Sequence, residues 1–108
     1  MERHGERFLK RIFSKEERAY CDRKRMKQEH YAARFAAKEA FMKAVEVKRK
    51  DRYAFSAIEI RRRPTGKPYI YLTPQNRLRF GVSRKSQIEL SMAHERDYAI
   101  ATVLIAKS

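Results

Sequence analysis

Chemistry could start at Glu39 and Lys43, which stand four residues apart in a segment free of glycine and proline. On a helix that spacing puts both on one face. They then form either a surface ion pair, worth a few tenths of a kcal/mol (~0.3–0.5), or the beginning of a phosphate site. In the second case Glu39 is a magnesium ligand beside a phosphate-binding ammonium, because Mg²⁺ takes one or two carboxylates together with substrate oxygens and water. His94 ends an alternating apolar stretch and opens the polar run Glu95, Arg96, Asp97, as a turn hydrogen-bonder or as a phosphate contact. Arg34 and Lys38 share the segment of Glu39 and, being charged, are expected in solvent. Cys21 is the single cysteine, so no internal disulfide and no cysteine-based zinc cluster can form. No Walker loop, Rossmann glycine pattern or placeable Ser-His-Asp arrangement occurs.

These residues depend on the elements that carry them. Phe8, Leu9, Ile12 and Phe13 fall at helical spacing among Arg3, Arg7, Lys10 and Arg11, which predicts a short basic helix over residues 2–13. Ser14 followed by Glu16 and Glu17 has the form of an N-cap with acids in the next first turn, so a second helical stretch should run to about Cys21. A long helix is expected from Gln28 to Val47, rich in Ala, Lys, Glu and Met. Tyr31, Phe35, Met42 and Val45 line one side of it. Ala33, Ala37, Ala40 and Ala44 form a second, small-residue stripe, which makes this helix central to the fold.

Beyond Lys50 the period changes. Ala57 to Arg62 alternates as a strand, Pro64-Thr65-Gly66-Lys67-Pro68 supplies a turn, and Tyr69 to Leu72 returns as its hairpin partner. Pro74 to Val82 has room for a short helix. Ile88 to Met92 alternates again, and Tyr98 to Ala106 is so uniformly apolar or small that it is expected to be buried on both faces. Helices followed by antiparallel strands define an α+β fold.

With 108 residues, no repeat and no Ser/Gly-rich linker, the chain has room for one domain and one core. No apolar run is long enough to span a bilayer and residues 1–5 carry no signal-peptide core, so a cytoplasmic protein is expected. A net charge of +14, spread along the chain, calls for an acidic partner. Nucleic acid, a phosphorylated cofactor and an acidic protein all satisfy that demand.

Five blocks narrow the choice: Ala33-Arg34-Phe35-Ala36-Ala37-Lys38-Glu39-Ala40, Lys43-Ala44, Ile58-Glu59-Ile60, Gly66-Lys67-Pro68-Tyr69, and Ser91-Met92-Ala93-His94-Glu95. With His4-Gly5-Glu6-Arg7-Phe8 and Arg11-Ile12-Phe13 near the start, their order and intervals closely resemble holo-acyl-carrier-protein synthase, the small class of 4'-phosphopantetheinyl transferase. The resemblance implies a domain with N-terminal helices, one of them long and central, packed on an antiparallel sheet. It also implies an enzyme that moves 4'-phosphopantetheine from coenzyme A to a serine of apo-acyl-carrier protein, releases 3',5'-ADP and serves fatty acid biosynthesis. On that pattern Glu39 is the Mg²⁺ ligand and a catalytic residue, Lys43 contacts the coenzyme A phosphates and assists catalysis, and Arg34 and His94 hold the nucleotide end. The family's homotrimer places active sites between subunits, and its basic first helix docks the acidic carrier protein, a role that falls here to Arg3, Arg7 and Arg11.

Three positions depart from the pattern. Family members open with a Gly-x-Gly-x-Asp strand whose aspartate is the other magnesium ligand; this chain starts at Met1, after that strand, so the domain over 1–108 is expected to lack it. The family's glycine-rich loop after the long helix is replaced by Glu46-Val47-Lys48-Arg49-Lys50, and its Ser-x-Ser-His by Ser91-Met92-Ala93-His94. A non-catalytic relative that binds carrier protein or coenzyme A is the alternative these changes raise; nucleic-acid binding rests on charge alone and ranks below both.

Overall fold

The structure, a computed structural model, describes residues 3–45 and 54–106. Helices α1 (Arg3–Ile12), α2 (Lys15–Asp22) and α3 (Lys27–Ala44) come first. A single 3₁₀ turn (Phe55–Ala57) leads into β1 (Glu59–Arg62) and β2 (Pro68–Tyr71), the short helix α4 (Pro74–Arg79), then β3 (Gln87–His94) and β4 (Ala99–Ala106).

The break between α1 and α2 is made by Ser14, whose hydroxyl accepts from the Glu17 N–H while the Glu17 carboxylate accepts from the Ser14 N–H at 2.8 Å. This reciprocal cap satisfies two donors that the first turn would otherwise leave open. Helix α3 stops at Ala44, short of the expected Val47, and the changed segment 46–50 lies outside the described residues. Gly66, at φ +93°, closes the β1–β2 turn in a backbone conformation that suits glycine.

The strands form two antiparallel ribbons, β1–β2 and β3–β4, with Ile60 opposite Ile70 and Leu90 opposite Val103. Helix α3 lies against both and supplies Ala37 and Phe41 to the main core, where they meet Ile58, Ile70 and Phe80. A smaller cluster of Ile12, Phe13, Cys21 and Tyr31 seals α1 and α2 onto α3. Both stripes expected on α3 take part, although Phe41 is buried and Ala44 is exposed.

Two expectations fail. Arg34 and Lys38 are not solvated: they are 1% and 0% exposed. Strand β4 is not buried on both faces, since Ala101, Val103 and Ile105 point inward while Ile100 and Leu104 stand 56% and 66% exposed. An unbroken apolar run is equally compatible with a strand buried on both faces and with one whose outer side lies bare in the isolated chain.

Candidate active site

Two buried cations on α3, one turn apart, have opposite surroundings. The Lys38 ammonium donates to Glu17 Oε1 at 2.8 Å, to the Phe55 carbonyl at 2.9 Å and to the Ile58 carbonyl. Its three protons are all used. Glu17 Oε2 accepts in turn from the Ile60 N–H at 2.8 Å, so this knot ties α2, α3 and β1 together. Burial pulls the Lys38 ammonium below the usual lysine range, and Glu17 opposes that shift. The inward Lys38 also fixes the rotation of α3, and Glu39, about 100° further round, faces solvent.

Arg34 is stacked over the Tyr20 ring, its guanidinium carbon 4.2 Å from the centroid. Its Nε and Nη1 are buried without a hydrogen-bond partner. The Nε of Arg62, on β1, and the Nδ1 of His30 are buried and unpartnered as well. Lys24 lies 4.6 Å and Arg62 5.6 Å from the same Tyr20 ring, and the His30 ring stands edge-on at 5.9 Å from Tyr20 and 5.0 Å from His94. His94, the last residue of β3, is oriented by Glu29 Oε1 at 3.1 Å from its Nδ1. Burial would raise the Tyr20 phenol pKa, but Arg62, Arg34 and Lys24 together hold it below its ordinary value. Burial, with His94 and the same cations, lowers that of His30.

Such a cluster has the chemistry to hold an anion. Unpaired buried donors cost desolvation until an acceptor arrives, and several cations around one point favour a multiply charged group such as a phosphate.

The structure joins Arg34 and His94 in this cluster and leaves Glu39 and Lys43 exposed on α3 beyond it. Neither Glu39 nor Lys43 forms a hydrogen bond or ion pair with a described residue, so the surface pair is not formed and both groups are available to a ligand. No set of three His, Cys, Asp or Glu among the described residues could cage a metal. Glu39 suits Mg²⁺ as a single carboxylate, because that ion keeps most of its shell for substrate oxygens and water. On α1, Arg7 and Arg11 are exposed and the Arg3 side chain lies outside the described residues. Beside Arg11 opens an apolar groove of about 490 Å³ lined by Phe8, Ile12, Phe35 and Phe55.

Sequence reasoning missed Tyr20, Lys24, His30 and Arg62 as partners of Arg34. They come from α2, the turn after it, α3 and β1, and no local spacing relates them. It also missed the buried Glu17–Lys38 pair, of which only the capping half was visible at Ser14.

The description 4'-phosphopantetheinyl transferase superfamily matches residues 1–103, and the chain belongs to that superfamily. Within it the chain is similar to the holo-[acyl-carrier-protein] synthase of Cytophaga hutchinsonii, 41% identical over 103 residues, which cover 94% of this chain and 81% of that protein. The enzyme of the same name from Ruminiclostridium cellulolyticum is 38% identical over 107 residues, covering 98% and 80%. The crystal structure of the Helicobacter pylori holo-[acyl-carrier-protein] synthase in complex with coenzyme A superposes with a TM-score of 0.79 at 30% identity, covering 97% of this chain and 86% of that one.

Proposed function

We propose that the chain transfers 4'-phosphopantetheine from coenzyme A to a serine of apo-acyl-carrier protein. The observation that carries this reading is the Arg34 cluster: buried, unpartnered polar groups on Arg34, His30 and Arg62, with Arg34 on the same helix as the exposed Glu39 and Lys43, in a chain similar to enzymes named for that reaction.

In this reading Arg34, Lys24, Arg62 and His94 take the phosphate at the nucleotide end of coenzyme A. Lys43 reaches the pyrophosphate as a point charge. Glu39 holds Mg²⁺, which when bound lowers the charge on the phosphoryl group under attack and on the departing phosphate. The serine oxygen forms a bond to the phosphorus next to pantetheine, the bond from that phosphorus to the bridging oxygen breaks, and 3',5'-ADP leaves with the electron pair. Glu39 orients the serine hydroxyl through water and receives its proton.

The carrier protein docks on α1. Arg7 and Arg11, with Arg3, meet its acidic side chains, and the Phe8–Phe55 groove beside them accepts an apolar side chain. The bare outer side of β3–β4, with Ile100 and Leu104, is the face on which copies of this chain pack as a homotrimer. Burying that face accounts for its apolar composition. Sedimentation of the double variant Ile100→Lys/Leu104→Lys as a monomer, against a trimeric wild type, is the expected result; an unchanged oligomer contradicts this interface. No helix of the described residues is long and apolar enough to cross a membrane, and a free buried Cys21 suits a reducing, cytoplasmic setting.

The test is the intact mass of purified apo-acyl-carrier protein after incubation with coenzyme A, Mg²⁺ and this chain, with an EDTA control. A metal-dependent gain of one phosphopantetheine, lost in Glu39→Ala, is expected. No gain from a folded wild-type chain that still binds carrier protein would overturn transfer in favour of binding alone.

A further inference from the structure

His30 has no role in the reaction as described so far, yet it occupies the middle of the anion cluster. Its Nδ1 is buried and unpartnered, its ring touches those of Tyr20 and His94, and it lies four residues before Arg34, on the same face of α3. The groups facing it come from every neighbouring element: Tyr20 from α2, Lys24 from the turn that follows, Glu29 and Arg34 from α3, Arg62 from β1 and His94 from β3. Among these described groups only Glu29 is acidic, and it is engaged by His94.

We propose that His30 is a further phosphate-binding residue, which enters the site neutral and takes up a proton when the terminal phosphate of coenzyme A binds, so that its Nδ1–H becomes a charge-assisted donor to that phosphate. This rests on the reading of the cluster as the nucleotide phosphate site. With the anion absent, four cationic or potentially cationic neighbours and partial burial disfavour a charged imidazole. A phosphate dianion reverses the sign of the local field and supplies the acceptor that Nδ1 lacks. The ligand therefore binds more tightly as pH falls, by at most about tenfold per pH unit for one linked proton. This holds down to roughly pH 6, where the phosphate itself takes a proton.

The experiment is titration calorimetry of the wild type and of His30→Gln with coenzyme A and with dephospho-coenzyme A, between pH 6.5 and 8.5, in two buffers of different ionisation enthalpy. For the wild type with coenzyme A, we expect uptake of up to one proton near pH 7 and a Kd that rises about tenfold across the range. Dephospho-coenzyme A should bind with little pH dependence. His30→Gln should match the wild type within about twofold at pH 8.5 and lose most of the proton uptake, because glutamine keeps a donor but cannot titrate. If coenzyme A binds tighter than dephospho-coenzyme A but without proton uptake, or if His30→Gln keeps the full uptake, the proposal for His30 is overturned while the phosphate site stands. If the two ligands bind alike at every pH, the phosphate reading of the cluster fails, and the proposal with it.

Discussion

Lys38 and Arg34 lie one turn apart on the same helix and are equally buried, yet their surroundings assign them opposite work. The Lys38 ammonium has three acceptors for three protons, and its carboxylate partner Glu17 is filled by two backbone N–H groups besides. Arg34 has an aromatic ring beneath it and no acceptor for Nε or Nη1. A buried charge that is fully satisfied holds a fold together; one left unsatisfied among like charges is costly to the free protein, a cost that a bound anion would offset. The contrast also corrects the expectation that Arg34 and Lys38 lie in solvent; Glu39, next to Lys38, faces outward.

Breaking the Lys38 side of this contrast should have the largest effect. Lys38→Met leaves Glu17 buried without its cation and should destabilise the chain by about 3–5 kcal/mol, measured by urea unfolding. Glu17→Leu/Lys38→Met should recover part of that loss. It cannot recover all, because the Ser14 and Ile60 N–H groups and two carbonyls keep no partner. Full recovery would show that the knot is not needed for stability.

Next in size is Arg34→Met, which should leave stability at or above the wild-type level and weaken coenzyme A binding about 30-fold, the equivalent of about 2 kcal/mol for hydrogen bonds to a charged group. Tyr20→Leu removes the platform under the guanidinium, and a several-fold loss of affinity, about 1 kcal/mol for a partly desolvated cation–π contact, is expected in the same titration. The smallest effect concerns the free protein's own pH dependence. Because the His30 pKa is lowered in the fold, the unfolded chain takes the proton first as pH falls. Stability is therefore unaffected by this group above about pH 6.5 and declines below it, toward the folded value. Thermal unfolding of His30→Gln should show a shallower acid decline than the wild type; an identical curve would remove His30 from the account.

The order and type of the elements were legible because each has a local cause. Ser14 with Glu17 starts α2, the Ala-rich run free of glycine and proline makes α3, and Pro64 to Pro68 with Gly66 turns β1 into β2. Glu39, Lys43 and His94 stood out by residue type and spacing, the resemblance gave them and Arg34 their roles, and the structure places Arg34 and His94 in one cluster. What local spacing could not give is the partner of Lys38, twenty-one residues away on α2, or the ring of Tyr20, Lys24, His30 and Arg62. Those relations exist only after α2, α3 and β1 pack. Strand β4 misled for a different reason: its outer and inner residues are all apolar or small, so no alternation marks the side left bare.

The contrast between the two buried cations is tested most directly by thermal unfolding of wild type, Arg34→Met and Lys38→Met, each with and without saturating coenzyme A. The account predicts that Arg34→Met keeps the wild-type Tm when free and loses most of the rise on adding coenzyme A, whereas Lys38→Met has a much lower Tm when free and still gains on adding it. An Arg34→Met chain that melts early and keeps the full coenzyme A-induced rise would contradict it.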